Sequence, residues 1–155
     1  MLAGPCAIAS AILLLREARV WLAGQSRRSA RGAVVIDGSN VMYWWGGTPL
    51  ITPVQDVVRT LKDLGFKTGV VFDANAGHLL TNAYKDDAAL AAMLKLPVDQ
   101  VMVVPSGSPA DPFILTAARE MGAVVVSNDR YRDWADQFPE VLRRGHLIKG
   151  GYRQS

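Results

Sequence analysis

The sequence predicts an α/β fold, a three-layer α/β/α arrangement around a mainly parallel central sheet. Two observations carry that prediction. Short, continuous apolar runs such as Val34-Val35-Ile36 and Val124-Val125-Val126 alternate with segments of helical length. Such runs suit strands buried on both faces and joined by crossover helices. The chain has 155 residues, 50% hydrophobic and 20% charged, which supports one domain with a sizeable core and excludes a disordered chain.

Taken in order, residues 33–37 read as the first strand. Residues 53–64 form an amphipathic helix that Thr52 can cap and Gly65 can end. Residues 67–73 make a second strand, and residues 73–77 read as a plain loop. A helix begins at Asp86 or Asp87, runs to Leu96 and stops at Pro97. Residues 100–104 are the third strand, residues 111–121 a helix closed by Gly122, and residues 123–126 the fourth strand. Ser127 and Asn128 are good helix-start residues, so a further helix is expected from Asp129. Residues 146–149 add a short edge strand. No internal repeat is present.

This α/β domain spans residues 33–155 and is preceded by a hydrophobic segment, residues 1–24, and a basic linker, residues 25–32. The apolar run of residues 2–15 is shorter than the ~20 residues that normally span a bilayer. No basic region precedes it, which argues against a cleaved signal peptide. Three placements fit: a short or tilted membrane anchor, an interfacial helix with Trp21 at the boundary, or a helix packed on the domain. Trp21 followed by Arg27, Arg28 and Arg31 suits the cytoplasmic side. The expected location is therefore cytoplasmic, with a tether to the cytoplasmic membrane face under the first two placements.

The formal charge of +3 favours a polyanionic partner. The cations are clustered: Arg27, Arg28 and Arg31 precede the first strand, and Arg143, Arg144, Lys149 and Arg153 crowd the far end. Cys6 is the only cysteine, so no internal disulfide forms. His78 and His146 are far apart and fit surface or loop positions better than a zinc site.

The acids carry the chemistry. In a parallel sheet, ligand sites form beyond the carboxyl ends of the strands. Asp37 ends the first strand, with Asn40 a turn later; Asp73 ends the second; Asp111 follows the third after a loop; Asp129 ends the fourth. On the expected helix Asp129 and Asp133 stand at i and i+4, on one face, where two bare carboxylates repel each other. Each acid has an ordinary explanation alone. Asp111 before Pro112 suits a helix cap, Asp129 suits a first-turn acid, Asp37-Gly38 suits a turn, and Asp86 and Asp87 start a helix. Their convergence on one sheet edge is what points to function.

An all-oxygen set of Asp37, Asp111, Asp129 and Asp133 selects a hard cation, Mg²⁺ or Mn²⁺, whose natural substrate is a phosphate ester. Asp73 is an auxiliary candidate. Tyr43, Trp44 and Trp45 follow Asn40, where unpaired bases could stack or where the rings could simply pack beneath a loop. Ser39, Trp44, Arg130 and Arg132 are the candidate substrate contacts.

Three segments together resemble a known family: Asp37-Gly38-Ser39-Asn40-Val41, Asp111-Pro112-Phe113-Ile114 and Ser127-Asn128-Asp129-Arg130-Tyr131-Arg132-Asp133. In this order they look like the regnase-type ribonuclease branch of the NYN/PIN-like nucleases, over residues 33–149. The resemblance implies a PIN-like three-layer fold and Mg²⁺-dependent endonucleolytic cleavage of single-stranded RNA to 5′-phosphate products. It also implies that Asp37, Asp111, Asp129 and Asp133 hold metal and water, that Asn40 orients the site, and that Arg132 contacts phosphate or a neighbouring acid.

The chain departs from the family in two ways. Ala110 stands where animal members carry a second acid beside Asp111, and Asp73 is the candidate to compensate. No CCCH zinc finger is present. The rival from another class is a non-catalytic RNA-binding or scaffold module, against which the concentration of negative charge near phosphate counts. An aspartyl-nucleophile phosphatase wants Asp-x-Asp after the first strand, and Ser39 occupies the second acid's place. A homo-oligomer is compatible with everything above.

Overall fold

Three β-branched residues in a row resist helix and favour a pleated strand, and such runs build the centre of this molecule. The computed structural model describes residues 32–153; the segment 1–24 and the linker up to residue 31 lie outside the described residues. The strands are β1 (Ala33–Asp37), β2 (Lys67–Phe72), β3 (Val101–Val103), β4 (Val124–Val126) and β5 (Leu147–Ile148). They form one sheet in the order β3-β2-β1-β4-β5, and every neighbouring pair is parallel.

The helices are α1 (Gly38–Val41), α2 (Thr52–Asp63), α3 (Ala76–Thr81), α4 (Asp87–Leu94) and α5 (Asp111–Met121). Alternate strand residues serve opposite faces. Val34, Ile36, Val70 and Phe72 pack with Val41 of α1, Val54 and Val58 of α2, and Leu90 and Leu94 of α4. Val35, Val71 and Val125 pack with Ile114 and Ala118 of α5, and with Tyr131, Phe138 and Val141. The sheet is thus covered on both sides, as the unbroken apolar strands require. Each buried Val, Ile or Leu here contributes roughly 1.5–3 kcal/mol of transfer free energy.

The path of the chain fixes where a site can form. From β1 the chain winds one way through β2 and β3, then crosses to β4 and β5 on the other side of β1. The order reverses between β1 and β4, and the crevice beyond their carboxyl ends is where doubly wound sheets place ligands. Ile36 pairs with Val126, so the next residues, Asp37 and Ser127, open that crevice together.

Several details depart from the sequence reading. Ile51, not Thr52, holds the cap position of α2 and makes no side-chain cap bond, because the helix starts one residue earlier with Pro53 in its first turn. Residues 73–77 are not a plain loop, since α3 begins at Ala76. Six residues show no helical period, so the sequence did not signal it. Asp86 does cap α4, accepting from the Ala89 N–H at 2.9 Å. The helix expected from Asp129 does not form. Tyr131 adopts the left-handed backbone region at φ +50°, and only a short 3₁₀ turn, Arg132–Trp134, follows.

Gly38 opens α1 directly above β2. A Cβ there would lie 2.5 Å from the Phe72 ring, so only glycine lets the chain turn so tightly after Asp37. Among the described residues no helix is long and apolar enough to cross a membrane.

Candidate active site

Asp37 is the centre of the site. It is 6% exposed at the end of β1, and its carboxylate is held by three donors. Oδ1 accepts from the Asn40 N–H at 3.1 Å, which caps α1. Oδ2 accepts from the Ser127 hydroxyl at 2.9 Å and the Tyr131 phenol at 2.6 Å. Burial nevertheless outweighs these bonds and pushes the carboxyl up to about 6, with the nearby charge of Asp111 adding to the rise. The Tyr131 phenol is held protonated by its burial and by the Asp37 charge.

The end of β4 supplies the rest of the frame. The Ser127 hydroxyl donates to Asp37 and accepts from the Asp129 N–H at 3.1 Å. One Asp129 carboxylate oxygen accepts from the Tyr131 N–H at 2.7 Å. A side chain bonding its own backbone two residues on competes with helix formation. That bond, with the buried Tyr131 ring anchored on Asp37, explains the turn found where a helix was expected. Asp129 and Asp133 therefore do not share a helix face at i and i+4; both sit exposed on the loop and 3₁₀ turn that follow β4.

Asp111 was expected to have capping as its ordinary explanation. Ala110 holds the cap position instead, with no side-chain cap bond. The Asp111 carboxylate accepts from the Trp134 indole N–H at 3.0 Å. Burial raises its pKa, the Trp134 bond opposes the rise, and the charges of Asp129, Asp73 and Asp133 add to it. Asp111 is thus the meeting point of the acids: it feels the charges of Asp129, Asp73 and Asp133, and its own charge acts on Asp37.

The remaining predicted residues are placed as follows. The Asn40 side-chain oxygen accepts from the Asn128 N–H at 2.9 Å and from the Trp44 indole at 3.0 Å, so it stitches the β1 and β4 loops together. The Ser39 hydroxyl accepts from the Asp73 N–H at 2.8 Å and ties the end of β2 to α1. Arg130 and Arg132 are exposed, and neither makes an ion pair among the described residues. Ser127, Asn128, Tyr131 and Trp134 were missed as site residues. The first three lie inside the motif already singled out, but a helical reading of that motif hid their hydrogen bonds.

Among the described residues, no three His, Cys, Asp or Glu side chains stand as a ready metal-ligand group. The four-acid ligand set expected from sequence is therefore not assembled as a closed cage. The donor chemistry still fits a water-rich Mg²⁺, which needs only one or two direct carboxylates. One Asp111 oxygen and one Asp129 oxygen accept no protein hydrogen bond among the described residues. Asp37 and Asp111, both raised by burial and like charge, would gain from a cation beside them.

The sequence matches the family model described as Zc3h12a-like Ribonuclease NYN domain over residues 30–147. The chain belongs to that family. No curated protein matches this NYN domain's sequence. Two solved structures of nuclear protein-only RNase P 2 (PRORP2) from Arabidopsis thaliana are similar in fold. One covers 97% of this chain with a TM-score of 0.62 at 16% identity. The other covers 96% with a TM-score of 0.67, also at 16% identity. The NYN domain spans 33% of either PRORP2 chain, and at this identity the likeness shows the fold alone.

Proposed function

We propose that this ribonuclease NYN domain is a metal-dependent endoribonuclease that hydrolyses phosphodiester bonds of single-stranded RNA. The observation that supports it most is the buried Asp37 carboxylate at the β1/β4 crevice, raised to about 6 by burial with Asp111 adding to the rise. Enzymes concentrate such perturbed acids where they do chemistry. A bound Mg²⁺ or Mn²⁺ would activate water and neutralise charge building on the phosphate.

The chain's own groups have definable tasks in this reading. Ser127 and Tyr131 fix Asp37 in one orientation, and Trp134 fixes Asp111. The Asp111 oxygen without a protein donor is available to take a proton from an attacking water. Arg130 and Arg132, exposed beside the acids, supply the attraction that a phosphate chain needs to approach them. A tether to the cytoplasmic membrane face rests on the sequence of residues 1–24 alone.

The test is cleavage of an unstructured RNA by purified protein. We expect activity with Mg²⁺ or Mn²⁺, none with EDTA, and a loss of roughly 10²-fold or more in Asp129→Asn at unchanged melting temperature. RNA binding without any metal-dependent cleavage would leave only a non-catalytic RNA-binding module.

A further inference from the structure

Of the tryptophans after Asn40, Trp44 is turned inward. Its indole donates to Asn40, and its ring lies against Gly150, where a Cβ would come within 2.5 Å of it. Trp45 is different, with 57% of its surface exposed. Among the described residues its ring partner is Tyr152, at a centroid distance of 4.7 Å and a tilt of 59°. A tilted pair leaves ring faces open, whereas a parallel stack would use them up.

Tyr152 is itself held in place. Its phenol donates to an Asp56 carboxylate oxygen at 2.6 Å, while Arg59 pairs with the other oxygen. Two residues earlier, Gly150 exchanges two hydrogen bonds with the Asn128 side chain, at 2.9 and 3.0 Å. Asn128 in turn donates its N–H to Asn40. A continuous set of contacts therefore joins the Trp45–Tyr152 pair to the loops that carry Asp37 and Asp129.

We propose that Trp45 and Tyr152 form a stacking platform for an unpaired base of the RNA, held beside the acidic crevice by residues 150–153. The identity of the ligand rests on the ribonuclease reading. Three features select a single-stranded polyanion. Trp45 and Tyr152 keep 57% and 40% of their surface exposed, Lys149 and Arg153 bracket the tail in sequence and are exposed, and Arg59 offsets the charge of Asp56. A base must leave its helix to reach such a surface, so the platform favours single strands over duplexes. It assigns to Trp45 the stacking task that the sequence offered to Trp44, and leaves Trp44 a positioning role on Asn40.

The test measures binding in full-length protein carrying Asp129→Asn, with a short oligouridylate and an RNA duplex of equal length as probes. Trp45→Ala and Tyr152→Ala should each weaken single-strand binding about tenfold, leave duplex binding unchanged, and leave the melting temperature unchanged. Trp45→Phe should restore most of the loss. Unchanged single-strand binding overturns the platform, as does an equal loss on both probes. Cleavage by the unsubstituted protein is assayed in parallel. Trp45-dependent binding without cleavage overturns the ribonuclease reading and keeps the platform; cleavage with Trp45-independent binding does the reverse.

Discussion

Two carboxylates in this molecule differ in the partners that the fold gives them, and their acidity differs with them. Glu140 holds Arg119 through a two-pronged ion pair at 2.7 and 2.9 Å, with the guanidinium also 4.5 Å over the Phe138 ring. That bond holds Glu140 down at about 2. Asp37 is more deeply buried, its donors among the described residues are all neutral, and its carboxyl rises to about 6. An acid that meets its cation within the fold is finished. Asp37 has no ion pair among the described residues, so its charge opposes folding once it ionises.

The largest expected effect comes from removing that charge. Asp37→Asn should lower RNA cleavage by roughly 10²-fold or more. It should also stabilise the metal-free protein at pH 7.5 by on the order of 1–3 kcal/mol, seen as a raised melting temperature. The sign follows from linkage. The folded state holds the Asp37 proton more tightly than the unfolded chain does, so stability is greatest below the unfolded value of 3.8 and is lost as pH rises through about 6. A melting temperature that falls in Asp37→Asn would mean that this acid is structural, like Glu140.

A middle-sized effect should follow from Tyr131→Phe, which deletes the shortest of the three bonds to Asp37. That bond lowers the Asp37 pKa, so its loss should shift the acid limb of the cleavage profile to higher pH. Stability should fall by about 1–3 kcal/mol, because a buried charged acceptor oxygen loses one of its two donors. An unmoved limb in a full pH–rate profile would show that Asp37 ionisation does not gate the reaction.

The smallest effect should be at the other acid. Glu140→Gln should cost at most about 1 kcal/mol, since its partner Arg119 is half exposed, and cleavage should not change. Here the linkage runs the opposite way. Stability from the pair is present above the unfolded value of 4.5 and is lost as pH falls through about 2. Denaturant melts at pH 7 and pH 3 would check it; an equal cost at both would remove the ion pair as the cause.

The same contrast explains what the sequence could and could not reveal. The strands were legible because a continuous Val-Val-Ile or Val-Val-Val run has few other homes, and Asp37, Asp111 and Asp129 were legible because each follows such a run or opens a helix after one. The order β3-β2-β1-β4-β5 then brings Asp37 and Ser127 side by side. The partners were not legible. That Tyr131 turns left-handed and sends its phenol to Asp37 depends on its ring packing with residues of α5 and of β1, β2 and β4, which no local pattern encodes. The helix expected at Asp129 failed for the same reason: Ser127 and Asn128 direct their side chains to Asp37 and Gly150, and the Ser127 hydroxyl accepts from the Asp129 N–H two residues on rather than starting a helix. The tail was missed because residues 150–153 have no periodicity, only well-placed partners.

The bonds that set Asp37 also bear on how the protein is born. Its Ser127 and Tyr131 partners lie 90 and 94 residues further along the chain, while its first strand neighbour, β2, follows much sooner. A ribosome delivers β1 long before those hydroxyls exist, and such distant pairings form late. A chain still emerging, or one truncated before β4, therefore has its acid but not the frame that aims it. Both hydroxyls follow β4 in the chain, so the frame around Asp37 closes only after the first four strands of the sheet have been threaded.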